Sequence, residues 1–328
     1  MTAIDPLAGP GERAKGDIFV RPLRKSDLAA ADHIMRLAFG TFLGLPDPAS
    51  FMGDAGYVWT RWKADAAAAF AVEIDAEVAG SNFATNWGTV GFFGPLTIHP
   101  DLWDKGLGKR LMEPIMDCFD KWKTRHVGLF TFAHSPKHVA LYQKFGFSPR
   151  FLTAAMSKPV EPVGRASSWA KFSDAPMNER AALLDACREL TGAIYNGLDV
   201  GREIDAVADQ NLGDTILLWD GSKLTGLAVC HSGAGTEAGS DACYVKFGAT
   251  SPRANAERDF VRLLDACNEF AFSQNASRLS AGINTARARA YRQMLARGFR
   301  IDFMGLTMTK PNEAGYNCPE VYLIDDWR

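Results

Sequence analysis

Gly106 and Gly108, flanked by Lys105, Lys109 and Arg110, have the residue types and spacing to hold a polyanion. Glycines remove the Cβ atoms that would keep a phosphate away from the backbone. The first turn of a helix offers unpaired N–H groups and a dipole end that favours negative charge. Three cationic side chains add to that field. The dinucleotide fingerprint is excluded, because its third glycine falls on Leu111. The nucleoside-triphosphate loop is excluded too, because Lys109 precedes Arg110 and Trp103 stands at the first glycine position. Taken alone, Gly-Leu-Gly-Lys serves equally well as a strand-to-helix turn with no ligand.

The elements around the turn must supply the rest. Val90 to Ile98 reads as a strand, and Pro100 stops it because proline cannot donate to a ladder. After Gly108, the residues Leu107, Leu111, Ile115, Phe119 and Trp122 share one face of a helix. A second apolar run, Val127 to Phe132, leads to Ser135-Pro136-Lys137-His138-Val139-Ala140 and then Leu141-Tyr142-Gln143-Lys144-Phe145-Gly146-Phe147.

This order resembles the acetyl-CoA-binding core of the Gcn5-related N-acetyltransferase (GNAT) superfamily. Ile98-His99-Pro100 and Trp103-Asp104-Lys105-Gly106-Leu107-Gly108 match its phosphate signature in spacing, and Leu141 to Phe147 matches its second motif throughout. Trp103 departs from the family, which has Arg or Gln there. The resemblance implies an α/β fold in which a mixed, mostly antiparallel sheet is flanked by helices. It implies acetyl-CoA as the cofactor, with the pyrophosphate at Trp103, Asp104, Lys105, Gly106, Leu107, Gly108, Lys109 and Arg110. Ser135 and Lys137 belong to the same binding set. Two parallel strands that splay apart are implied as well, the pantetheine arm lying along Leu96, Thr97 and Ile98. A free N–H near Leu96 or Thr97 then serves as the oxyanion donor. Tyr142, a phenol with an ordinary pKa near 10, is the implied acid for the departing thiolate. For the base, His99, His134 and Glu73 stay open, as does a chain of water molecules.

Composition limits the alternatives. The chain of 328 residues is long enough for two domains. With a formal net charge of −2 it shows no basic excess, which argues against nucleic acid as a partner. No apolar run approaches the ~20 residues of a membrane span. The six cysteines form no Cys-x-x-Cys pair or ligand cluster, so reduced thiols and no metal are expected. Residues 1–16 read as a frayed tail without a signal-peptide core, which points to a cytoplasmic protein.

In chain order, Ile18 to Leu23 reads as a strand and Ser26-Asp27 as the cap of a helix through Phe39. A loop follows with Phe42, Leu43, Leu45, Phe51 and Met52, then a helix from Val58 to Ala69 and a hairpin of Phe70 to Ile74 with Glu77 to Trp87. The resemblance puts the first helix and its loop along the acceptor pocket; core packing is the other role for those apolar residues. Lys158 to Ser168, with two prolines and two serines, reads as a linker between domains 17–157 and 169–328.

The second half reads as a copy. Pro252 and Gly298 each lie 152 residues after a counterpart, Pro100 and Gly146, and Arg262-Leu263 follows Arg110-Leu111 at the same offset. A helix near 178–195, strands 215–219 and 224–231, a helix 257–272 and a strand 278–283 are expected there. At this offset Gly106 becomes Arg258, Gly108 becomes Phe260 and Tyr142 becomes Met294, which closes the second cofactor site. The expected activity is direct acetyl transfer from acetyl-CoA to a primary amine of a small molecule or peptide, by a monomer or homodimer. A non-catalytic acyl-CoA-binding module is the alternative.

Overall fold

The computed structural model describes residues 18–162 and 169–328. The expected frayed tail and residues 163–168 of the expected linker lie outside that range. The first half contains β1 (Ile18–Pro22), α1 (Leu28–Phe42), α2 (Tyr57–Ala64), β2 (Ala69–Ile74), β3 (Glu77–Trp87), β4 (Val90–Phe93) and β5 (Thr97–Ile98). It continues with α3 (Leu107–Trp122), β6 (His126–Thr131), α4 (Pro136–Gln143) and β7 (Ser148–Pro159). The second half contains β8 (Trp169–Lys171), α5 (Met177–Ile194), α6 (Gly201–Gln210), β9 (Gly213–Asp220), β10 (Lys223–Gly233) and β11 (Gly239–Thr250). Then follow α7 (Ala256–Ser273), β12 (Arg278–Asn284), α8 (Ala288–Ala296), β13 (Arg300–Lys310) and β14 (Leu323–Ile324).

Each half is a mixed sheet flanked by helices, with one parallel pair apiece: β4 with β6, and β11 with β12. The register repeats at the sequence offset, since Val90 pairs with His126 and Ala242 with Arg278. The halves are nevertheless not closed separately. The strands join into one sheet in the order β1-β2-β3-β4-β6-β13-β7-β12-β11-β10-β9-β8, with β5 on β3 and β14 on β11. The last long strand of the second half, β13, thus lies between β6 and β7 of the first, while β7 runs on to β12.

Composition placed the linker from residue 158, but Lys158 and Pro159 are still strand, paired with Leu279 and Arg278. Cross-strand pairing outweighs the local proline signal because Pro159 sits at the very end of the ladder. Two other expectations change. The strand expected over 90–98 breaks after Phe93 at Gly94-Pro95 and resumes as β5. The helix expected to reach Ala69 ends at Ala64, where Asp65 turns the chain and its carboxylate accepts the Ala67 N–H.

Apolar spacing does fix α3. Leu107, Leu111, Met112, Ile115 and Phe119 are buried on one face, the first two against β2 and β3 and the others against β3, β4 and β6. In β6 the side chains alternate, so Val127, Leu129 and Thr131 face α3 while Gly128 and Phe130 face the opposite layer. On that layer Trp327 packs directly against Gly128, where a Cβ would stand 1.9 Å from its ring.

Two histidines, His126 in β6 and His231 in β10, are fully buried. Their pKa values are pressed down to about 4, His126 by burial and then Arg150, His231 by burial and then Lys246. The unfolded chain therefore takes up protons first as pH falls. Stability is full above pH ~6.5 and declines toward pH ~4, by of the order of 3 kcal/mol per histidine. Thermal melts should show Tm falling through this window, and His231→Gln should flatten the fall. A Tm independent of pH there would contradict the assignment.

Candidate active site

The parallel pairing of β4 with β6 ends at Phe92 and Gly128, yet β6 runs on to Thr131 while the other chain turns away at Gly94. A wedge opens between the two strands. Beyond the turn, β5 pairs with β3, Ile98 opposite Gly80 and Thr97 opposite Ser81. The His99 N–H donates to Ala79 O, so the alternation of an antiparallel ladder turns the Thr97 N–H toward Ser81. It turns the N–H groups of Leu96 and Ile98 into the wedge. Of the two expected oxyanion donors, the ladder favours Leu96 and commits Thr97 to the sheet.

The N-terminus of α3 stands at the mouth of this wedge. Gly106 caps it at φ 77°, a conformation that disfavours a side chain, and a Cβ there would meet nothing within 4 Å. At Gly108 a Cβ would touch only Leu141, at 3.5 Å. Leu107 between them is buried, so it presents backbone alone, whereas Lys105, Lys109 and Arg110 are exposed. Trp103 donates its indole N–H to Ile98 O at 2.8 Å, so it walls the loop and does not replace the family's Arg or Gln as a phosphate donor. Lys137, in the first turn of α4, reaches across to Asp104 at 2.5 Å and lies 5.9 Å from the Trp103 ring centre. The fold therefore brings the starts of α3 and α4 together, with buried Ser135 at the residue preceding α4. This open, cationic, backbone-lined cradle fits a pyrophosphate.

Tyr142 lies under the wedge. It is buried among Phe93, Phe147 and the α3 face, with the Phe93 ring centre at 5.6 Å. Its hydroxyl is next to Thr131, the last residue of β6. Burial raises its pKa well above the usual phenol value, and the hydrogen bond with Thr131 only partly offsets this. The phenol is thus protonated across the physiological range.

The candidate bases separate. His134 is exposed and stacks on Phe42, with centroids 5.5 Å apart, beside Phe132. His138, to which no sequence signal pointed, lies 5.2 Å from the same Phe42 ring. Its pKa is lowered by burial, then by Lys137 and His134, which keeps it neutral. Phe42 and Phe51 thus line the end of β6 together with Phe39 and Phe132. His99 accepts the Asp101 N–H and caps a short turn. Glu73 is corrected: it sits on β2, with β3 between it and β4, and Arg21 holds it at 2.6 Å. An acid paired in this way, two strands from the wedge, is a structural partner of β1.

The equivalent place in the second half is filled. Phe260 and Met294 are core residues, and Arg258 points outward. In the first turn of α7 the buried carboxylate of Asp259 takes Arg253 at 2.7 Å and Arg258 and Arg262 at 3.3 Å. The dipole end of this helix already has its anion. The wedge itself is occupied by the chain's own tail: β14 pairs Ile324 with Gly248 and Leu323 with Ala249. At the 152-residue offset these correspond to Leu96 and Thr97, where the resemblance lays a pantetheine arm.

Residues 34–147 match the model of the acetyltransferase (GNAT) family. These residues belong to that family, and the whole chain has the fold of tandem GNAT proteins. A Pyrococcus horikoshii protein assigned as an acetyltransferase superposes with a TM-score of 0.67 at 14% identity, covering 98% of both chains. A GCN5-related N-acetyltransferase from Sphaerobacter thermophilus gives 0.58 at 15% identity, over 89% of this chain and 95% of that one. A tandem GNAT protein from the clavulanic acid biosynthesis pathway gives 0.55 at 10% identity, over 89% and 98%. No curated protein sequence matches this chain. Among the described residues, no helix is long and apolar enough to cross a membrane.

Proposed function

We propose that this protein is an acetyl-CoA-dependent N-acetyltransferase that passes the acetyl group directly to a primary amine, using one cofactor site in its first half. The observation that carries the reading is the wedge between β4 and β6, with an open helix N-terminus at its mouth and a protonated Tyr142 beneath it. Acetyl-CoA supplies an activated thioester when bound. Gly106, Leu107 and Gly108 hold the pyrophosphate with backbone N–H groups, and Lys105, Lys109 and Arg110 neutralise it. The Leu96 N–H polarises the thioester oxygen. Tyr142 holds a proton for the sulfur, and His134 and His138, both against Phe42 at the end of β6, are the candidate bases for the ammonium group. The protein is read as cytoplasmic, in keeping with its six free cysteines.

Acceptor-dependent release of free thiol from acetyl-CoA, followed over a panel of primary amines, tests this reading. Tight acetyl-CoA binding with no release beyond the amine-free rate would favour the acyl-CoA-binding module instead. The filled second wedge adds a stoichiometric prediction. Calorimetric titration with CoA should saturate at one equivalent per chain, and a second equivalent would show that β14 yields its place.

A further inference from the structure

We infer that Arg61 of α2 is a positioning residue through which the second half sets the geometry of the first half's acyl-transfer strand. The inference rests on the reading above. Arg61 is buried, and its guanidinium faces three partners. Its Nη1 donates to the carbonyl of Gly94 at 2.6 Å. Nε and Nη2 grip Glu237 of the second half at 2.9 and 3.2 Å. Nη2 also donates to the main-chain oxygen of Arg328. Glu237 is itself fixed, since Lys246 of β11 reaches its Oε1 at 2.9 Å and Glu203 of α6 at 2.8 Å.

Gly94 is the point where β4 leaves β6. Its N–H is held by Phe83 O at 2.9 Å and its carbonyl by Arg61. Pro95 has no N–H, so the next donor along the chain is Leu96, the one turned into the wedge. Fixing the peptide units on both sides of Gly94 fixes the direction from which Leu96 emerges. A planar fork tied to a second body does this better than a flexible ammonium, because its geometry is set by several bonds at once. The second half thereby contributes to the reaction centre without holding a cofactor. The lysine that anchors Glu237, Lys246, stands at the 152-residue counterpart of Gly94 itself.

The test reads the donor directly and needs no acceptor. Acetyl-CoA labelled with ¹³C at its carbonyl is bound to the full chain, and the carbonyl stretch is recorded by isotope-edited infrared difference spectroscopy. Calorimetry on the same samples gives affinity and stoichiometry. The wild-type protein should shift the stretch to lower frequency than in free acetyl-CoA. Arg61→Lys and the near-isosteric Glu237→Gln should bind one equivalent with affinity within about threefold of wild type, yet lose at least half of that shift. A variant that only loosened the fold would lower the bound fraction and leave the frequency of the bound ligand unchanged. An undiminished shift in a folded Glu237→Gln variant overturns the inference, and that variant decides alone if Arg61→Lys does not fold. Wild-type binding with no shift also overturns it and leaves the cofactor site standing. No binding at all removes the proposed function as well.

Discussion

Gly108→Trp is expected to abolish measurable acetyl-CoA binding while the chain stays folded. Gly108 is in the first turn of α3, and a Cβ there meets only the flexible end of Leu141 at ordinary contact distance. Nothing in the backbone conformation excludes a side chain at this position, unlike Gly106 at φ 77°. An indole would project over the N–H groups that the cradle offers and replace the phosphate there. Losing that helix end and its cationic surroundings should weaken binding at least a hundredfold, about 2.7 kcal/mol. Gly108→Ala should bind nearly as wild type, since one methyl group fits beside Leu141. Calorimetry with circular dichroism on both variants makes the comparison. Unchanged affinity in folded Gly108→Trp would place the cradle elsewhere.

Local signals carried much of this structure. The 3.6-residue spacing from Leu107 to Trp122 gave α3 because nearly every apolar position of that helix faces one layer of sheet. The 152-residue offset recurs in the register of both parallel pairs, since a duplicated unit keeps its spacing wherever a change would misalign a strand. The exchange of β13 and β7 between the halves left no trace in the sequence. Both strands would read the same whether β13 paired within its own half or next to β6. The tail was equally silent. Val321 to Ile324 is a short apolar run, and its partner Gly248–Ala249 is more than seventy residues away.

For the site, the residues that chain order could place were those on two consecutive strand–turn–helix units. Gly106, Gly108, Lys137 and Tyr142 converge because α3 and α4 start at the same end of adjacent parallel strands. Choosing the donor between Leu96 and Thr97 needed the pairing of β5 with β3, which only the His99–Ala79 bond decides. Glu73 read as a candidate because an acid in a hairpin can face either layer, and Arg21 on β1 decides which. Arg61 and Glu237 are 176 positions apart, and neither belongs to a local motif. Long-range ion pairs of this kind are set by the assembled fold.

Tyr142→Phe should cut turnover roughly a hundredfold or more, the usual range for loss of a general acid, with acetyl-CoA affinity little changed. The substitution removes one oxygen from a ring otherwise held by apolar neighbours. Phe93 and Phe147 still pack against it, and Thr131 is the polar group left facing the gap. The fold should therefore survive, at a cost of about 1 kcal/mol for the lost hydrogen bond. Wild-type turnover should show no decline up to about pH 10 from ionisation of this phenol, because burial raises its pKa above the ordinary value. A leaving thiolate of low basicity needs its proton less, so acyl donors with more acidic thiols should restore much of the Tyr142→Phe rate. Turnover near wild type with acetyl-CoA itself would return Tyr142 to the apolar core, leaving solvent to protonate the thiolate.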